Sequence, residues 1–169
     1  YALSYYVPPI HVQPLWEGLR DGAIDMVATD HGPHTREEKE PGWTDGWKAH
    51  TGTPSAQFYV PILLDAAVNG QLTLERVVDL TATAPARVFD LGTKGRLEVG
   101  CDADIAIVDL DAELEIRDDI VLSRIGWTPY AGRTVKGVID RTLVRGRVVY
   151  ESGTVVGDPG WGRQAKPTR

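Results

Sequence analysis

One cysteine, Cys101, and one methionine, Met26, are all the sulfur this sequence holds. A lone cysteine excludes an internal disulfide and a thiolate zinc cluster, which fits a reducing compartment, with the cytoplasm as the expected location. Basic residues are outnumbered: 18 Lys and Arg, spread along the chain, stand against 24 Asp and Glu, for a formal charge of -6. That balance argues against a phosphate-backbone partner, so nucleic acid is not expected. No apolar run is long enough to cross a membrane, and no basic-then-apolar leader opens the chain. Repeats and low-complexity tracts are lacking too. What is there is an ordinary globular composition, 42% hydrophobic and 25% charged over 169 residues. That suffices for one good core, or for a modest domain with an appendage. The chain opens at Tyr1 with its methionine well inside, so an upstream segment is expected to have preceded it.

Along the chain, Pro8, Pro9 and Pro14 predict extended loop after a possible strand at Leu3–Val7, because proline removes donors and fixes φ. Leu15–Leu19 can form a helical turn before the Asp21-Gly22 break. "AIDMVAT", residues 23–29, reads as a short strand buried on both faces, of the kind found in parallel sheets, with Asp30 just past its end. Residues 35–53 are charged, bear tryptophans and show no period; a surface loop of that length covers a site or is disordered. A helix is expected over 54–68, with Phe58, Ile62, Leu63 and Ala66 near one stripe, a kink at Pro61 and an end at Asn69-Gly70. Thr73 is a plausible N-cap for a second helix. Thr83 and Pro85 are expected to start a third, which Gly92 stops. Beyond Lys94 the texture becomes Val/Ile/Leu runs punctuated by Gly and Asp, the grammar of strands and turns. The expected class is α/β plus β: residues 1–93, then a β segment over 94–158, then a loose tail over 159–169.

The stretch "VATDHGPH", residues 27–34, carries the chemistry. A parallel strand running into a polar loop puts its last residues at the C-terminal end of the sheet, where α/β folds assemble sites from several strands. Asp30, His31 and His34 can then face a pocket, where a carboxylate can bind a divalent metal and take a proton from the metal's water. An Asp-His pair after a strand is equally a loop cap or turn, and these residues alone leave both readings open. His11 and His50 read as plain loop residues. Trp43 and Trp47 either shield a pocket or pin their loop. Arg145 and Arg147 flank a hairpin-like glycine as solvated strand residues, and Cys101 has no basic partner nearby.

"GAIDMVATDHGPHTREEKE" resembles the segment around the last barrel strand of the cyclic amidohydrolases, the dihydroorotase, allantoinase, hydantoinase and dihydropyrimidinase group. Further resemblances follow in order: "PP" at 8 and 9, "WEGLRDG" at 16–22, "ERVVDLTATAPARVFDLGTKGRLEVGCDADIAIVDLD" at 75–111 and "VKGVIDRTLVRGRVVYESG" at 135–153. The implied fold is the C-terminal part of a TIM barrel, last strand and helices, followed by part of a small β-sandwich. The implied roles are specific. Asp30 is similar to the aspartate that ligates the more buried metal and shuttles the proton from the bridging hydroxide to the leaving nitrogen. His31 matches its supporting neighbour, and His34 matches the histidine that helps hold a substrate carboxylate. Gly32 replaces the usual alanine, a change expected to be harmless. Val7 and His11 stand where the family has a polar residue and an arginine, and the lid "HTGTPSAQFYVP" stands where dihydroorotases have a glycine-rich, glutamate-bearing segment, while "EPGW" resembles hydantoinase-like and allantoinase-like relatives.

The resemblance also implies a divalent metal, zinc, in a binuclear site whose other ligands, a His-x-His pair, a carboxylated lysine and two histidines, lie outside this sequence. Two expectations follow. In the first, the chain is the C-terminal segment of a metal-dependent cyclic amidohydrolase acting on a small cyclic amide, inactive alone and completed by the missing N-terminal segment. In the second, it is a non-catalytic structural or assembly relative of the same fold. Either way, exposed sheet edges and helix faces predict association, with the absent half or as a homo-oligomer.

Overall fold

A computed structural model describes residues 8–168; the possible strand at Leu3–Val7 lies outside them. A 3-10 turn at Pro9–His11 runs straight into α1 (Val12–Asp21), so the reading of 8–14 as extended loop is corrected. Pro14 sits in the first helical turn, where its missing N–H has no partner to lose. Gly22, at φ 82, closes the helix at the expected break. Trp16 and Leu19 turn inward, while Val12 and Leu15 stay exposed.

Residues 24–30 form no strand or sheet ladder among the described residues, and none of them is buried. This corrects the strand buried on both faces. A strand exists only where neighbours take its N–H and C=O groups, and here those groups go elsewhere: Ile24 N–H to Gly18 O at 3.0 Å, Val27 N–H to Leu80 O at 3.2 Å. Arg76 clamps the segment to α1, donating to Leu19 O and Ile24 O at 2.6 Å each while pairing with Asp79.

Residues 35–53 are not featureless. They fold into α2 (Arg36–Lys39) and two 3-10 turns, Glu40–Trp43 and Gly46–Lys48. α3 (Tyr59–Val68) buries Pro61, Leu63, Leu64 and Ala66 and is capped by Asn69. Pro61 lies in its first turn, so it causes no kink. Thr73 caps α4 (Leu74–Val78) as expected, accepting from Arg76 N–H at 3.1 Å. α4 continues through a π turn (Asp79–Thr83) into α5 (Ala84–Val88). Thr83 is therefore inside a helical run and not a cap. The widened turn makes room where the Pro85 ring would meet the carbonyl four residues back. The helix ends at Phe89, with Asp90 at φ 54, two residues before Gly92.

The rest is one antiparallel sheet in the order β1 (Ile105–Glu115), β2 (Thr134–Val144), β3 (Arg147–Glu151), β4 (Thr154–Val155). Arg145-Gly146 closes the β2–β3 hairpin with φ 49 and 75, the left-handed pair such a two-residue turn demands. β2 lies directly on α3: a Cβ at Gly137 would stand 2.7 Å from Leu64 Cβ, and Asp65 in mid-helix accepts the Lys136 N–H at 2.9 Å. Two clusters flank α3. One joins Leu63, Leu64, Leu72, Val77 and Leu80 to Trp16, Val27 and Val108; the other joins Phe58, Ile116 and Val135 to Ile62 and Tyr130. Each fully buried aliphatic side chain is worth about 1.5–3 kcal/mol.

The stretch 159–169, read from sequence as loose, is tied at two points. Trp161 Nε1–H donates to Val144 O at 2.9 Å, with Arg145 and Arg147 stacked on its ring at 4.5 and 5.1 Å. Thr168 N–H and Oγ1–H both donate to Asp90 O at 2.9 Å.

Candidate functional site

Asp30 ends the segment 24–30 at φ 46, a left-handed conformation that Asp tolerates better than most residues. It is exposed. No hydrogen bond or ion pair ties its carboxylate to another described residue. The backbone on either side is held. Ser55, buried, donates its hydroxyl to Thr29 O at 2.8 Å, and His31 bridges to Thr53 as a parallel pair.

His31 reaches across to the same segment. Its Nδ1 accepts the backbone N–H groups of Ser55 and Ala56 at 3.1 and 3.2 Å. An Nδ1 that accepts twice leaves the ring proton of the neutral imidazole on Nε2. His31 thus pins two loops, and its Nδ1 is not open to a metal.

Gly32 and Gly52 bring the two loops into backbone contact. A Cβ on Gly32 would lie 2.7 Å from Gly52 Cα, and one on Gly52 would lie 2.8 Å from Gly32 O. Gly32 N–H donates to Thr53 O at 3.1 Å across this gap. The glycine at 32 is therefore matched to the glycine at 52.

His34, half-buried, is set by a capping box. Thr35 Oγ1 accepts Glu38 N–H at 3.2 Å, and Glu38 Oε2 accepts Thr35 N–H at 2.9 Å. That carboxylate also lies 3.3 Å from His34 Nδ1. The Thr35 backbone bond is the main cause holding the Glu38 carboxyl below its ordinary 4.5; desolvation opposes it, and the bond from His34 adds a smaller lowering effect. The ring of His50 stands 5.1 Å from that of His34. His50 read as a plain loop residue; only the fold brings it here.

The loop is then stapled to the connection between β1 and β2. Trp127 Nε1–H donates to His34 O at 2.8 Å, and the Arg36 guanidinium lies 5.6 Å from the Trp127 ring. Arg36 pairs with Asp118 at 2.9 Å, and Asp118 also accepts Thr128 N–H. Lys39 Nζ donates to His50 O and Gly52 O at 2.9 Å each. Gln57 bridges to the backbone of Ile120 and Leu122. Ser55, Lys39 and Trp127 escaped the sequence reading, since the bonds that matter at the site run to residues 11 to 93 positions away; the T-x-x-E spacing at 35–38 was the one available signal. Trp43 and Trp47 remain exposed, Trp47 at 99%, so neither shields a pocket among the described residues.

The donor set does not by itself fit a metal. Among the described residues no group of three or more His, Cys, Asp or Glu side chains converges on one point, while a stable zinc site needs three or four protein ligands. Asp30 supplies one.

Residues 4–149 match the model of the amidohydrolase family. The chain belongs to that family. It is 46% identical over 153 residues to a dihydroorotase of Halobacterium salinarum, covering 88% of this chain and 35% of that protein. With an L-hydantoinase of Paenarthrobacter aurescens it shares 42% identity over 151 residues, covering 88% and 33%. Among solved structures, an L-hydantoinase from Arthrobacter aurescens superposes with a TM-score of 0.89 at 38% identity, over 96% of this chain and 36% of the other. A D-hydantoinase superposes with a TM-score of 0.94 at 30% identity, over 98% and 37%. The chain thus spans about a third of the length of the curated relatives it matches, and its fold is part of theirs. Among the described residues no helix is long and apolar enough to cross a membrane.

Proposed function

We propose that this amidohydrolase chain serves in the hydrolytic opening of a small cyclic amide, a dihydroorotate-, hydantoin- or allantoin-like ring, together with a segment that supplies the remaining metal ligands. In this reading the residues before about 93 are the C-terminal portion of a TIM barrel, 94–158 a portion of a β-sandwich, and the setting is the cytoplasm. The observation that carries it is the unspent carboxylate of Asp30 on a backbone fixed from both sides by Ser55 and His31. Nothing in the folding of these residues uses that carboxylate.

The group such a site holds, a divalent metal and in this lineage zinc, supplies an activated water when bound. This chain's part is at Asp30: an oxygen of its carboxylate takes the proton of the attacking water as the carbonyl carbon gains its new C–O bond. The same oxygen gives the proton to the ring nitrogen as the C–N bond breaks. His31 holds the loop bearing Asp30 against residues 53–56. His34, with Nδ1 turned to Glu38, presents Nε2 to a substrate carboxylate.

The test replaces the matching third of the Paenarthrobacter L-hydantoinase with this chain and assays ring opening of hydantoin and of dihydroorotate. Asp30→Asn keeps the shape and the tolerance of positive φ while removing the base, and should cut the rate by roughly 10²–10⁴-fold. Ring opening at an undiminished rate in that variant removes Asp30 from the role. A folded chimera without activity on any such ring favours the non-catalytic, assembly reading of the chain.

A further inference from the structure

A cavity of about 210 Å³ opens where the C-terminal stretch crosses the start of the sheet, and its wall is unusual in charge: Lys94, Arg145, Arg163 and Lys166 face it with one carboxylate, Asp102. The chain as a whole is acidic, at -6, so this is a local reversal of sign. Lys94 is neutralised in place, 3.1 Å from Asp102 and paired also with Asp104. The other three cations make no ion pair of their own among the described residues, although Asp102 feels the Arg145 charge at longer range. The Arg145 guanidinium is held by Trp161, its ring at 4.5 Å and its carbonyl accepting from Nη2, and has no carboxylate partner among the described residues. Arg163 and Lys166 have no ion pair there either.

These cations are not on a dangling tail. Trp161 is bonded to Val144 and Thr168 to Asp90, so 162–167 is a strap fixed at both ends, and the strap sets Arg163 and Lys166 against the cavity. Gathering unneutralised positive groups costs repulsion that an anion would relieve. Arginine forks and a lysine point charge are the groups that recognise phosphate oxygens. We propose that this cavity binds a small phosphate-class oxyanion, phosphate or diphosphate, either free or carried on a nucleotide.

The experiment titrates inorganic phosphate, diphosphate and a nucleoside monophosphate into the ¹⁵N-labelled full chain at constant ionic strength, with chloride as reference. Saturable amide shifts are expected at Lys94, Asp102, Arg145, Arg163 and Lys166. The double variant Arg163→Ala/Lys166→Ala should lower the affinity at least tenfold while leaving distant amides in place. Tighter binding of the nucleotide than of phosphate identifies the carried form, and the reverse identifies the free ion. Shifts that do not saturate, that chloride reproduces, or an affinity unchanged in the double variant overturn the proposal.

Discussion

The indole of Trp127 donates to the carbonyl of His34 at 2.8 Å, joining residues 93 apart in the chain. Through this bond the connection between β1 and β2 holds the loop that carries both histidines. Arg36 and Asp118 make the same crossing beside it. The sheet is thus a buttress for the candidate site as well as a neighbour of α3.

Trp127→Phe keeps the ring under Arg36 but removes the N–H donor. The expected loss is about 1 kcal/mol, the net worth of one such bond. A denaturant melt should show it, with faster amide exchange at residues 34–39. An unaltered exchange pattern would mean that the loop is held without Trp127.

Gly32→Ala drives a Cβ to 2.7 Å from Gly52 Cα, backbone that cannot swing aside. A destabilisation of about 1–3 kcal/mol is expected, as for other overpacked sites. A melting midpoint equal to that of the parent chain would refute the contact.

His31→Asn can place its Oδ1 where Nδ1 now accepts from Ser55 and Ala56, whereas His31→Leu leaves those N–H groups without an acceptor. The leucine variant should lose about 1–3 kcal/mol, since Ser55 is buried, and the asparagine variant markedly less. Equal losses in the two would show that packing, not the acceptor, matters at this position.

Glu38 gives the loop a dependence on pH with a definite sign. Its carboxyl lies below the ordinary 4.5, first because of the Thr35 backbone N–H and then because of His34. A carboxyl depressed in the folded state stabilises that state above its ordinary value, and the contribution fades as pH falls through the depressed one. Order in residues 34–39, followed by amide exchange, should hold at pH 6 and decline below 4.5. In Glu38→Gln that decline should be absent, and if it persists, another group is responsible.

Local features were legible in the sequence because their causes are local. Thr73 caps a helix with its own hydroxyl, Asn69-Gly70 ends one, and Asp21-Gly22 ends another. The prolines were misjudged where context within a helix decides their effect: Pro14 and Pro61 sit harmlessly in first turns, while Pro85 is absorbed by a π turn. The expected strand at 23–29 is no strand among the described residues, because a ladder depends on partners elsewhere.

By itself, then, the order of residues determined the family resemblance, the ends of α1 and α3, the start of α4, and the place of Asp30 just after a short apolar run. Those follow from side chains acting within a few residues of themselves. Only the tertiary structure decided that His50 stands by His34, that Ser55 and His31 fasten two loops, that Gly32 requires Gly52, and that Trp127 holds them from the sheet. Each is a contact between residues 16 to 93 positions apart, and no pattern of neighbours along a chain encodes which distant donor will meet which acceptor.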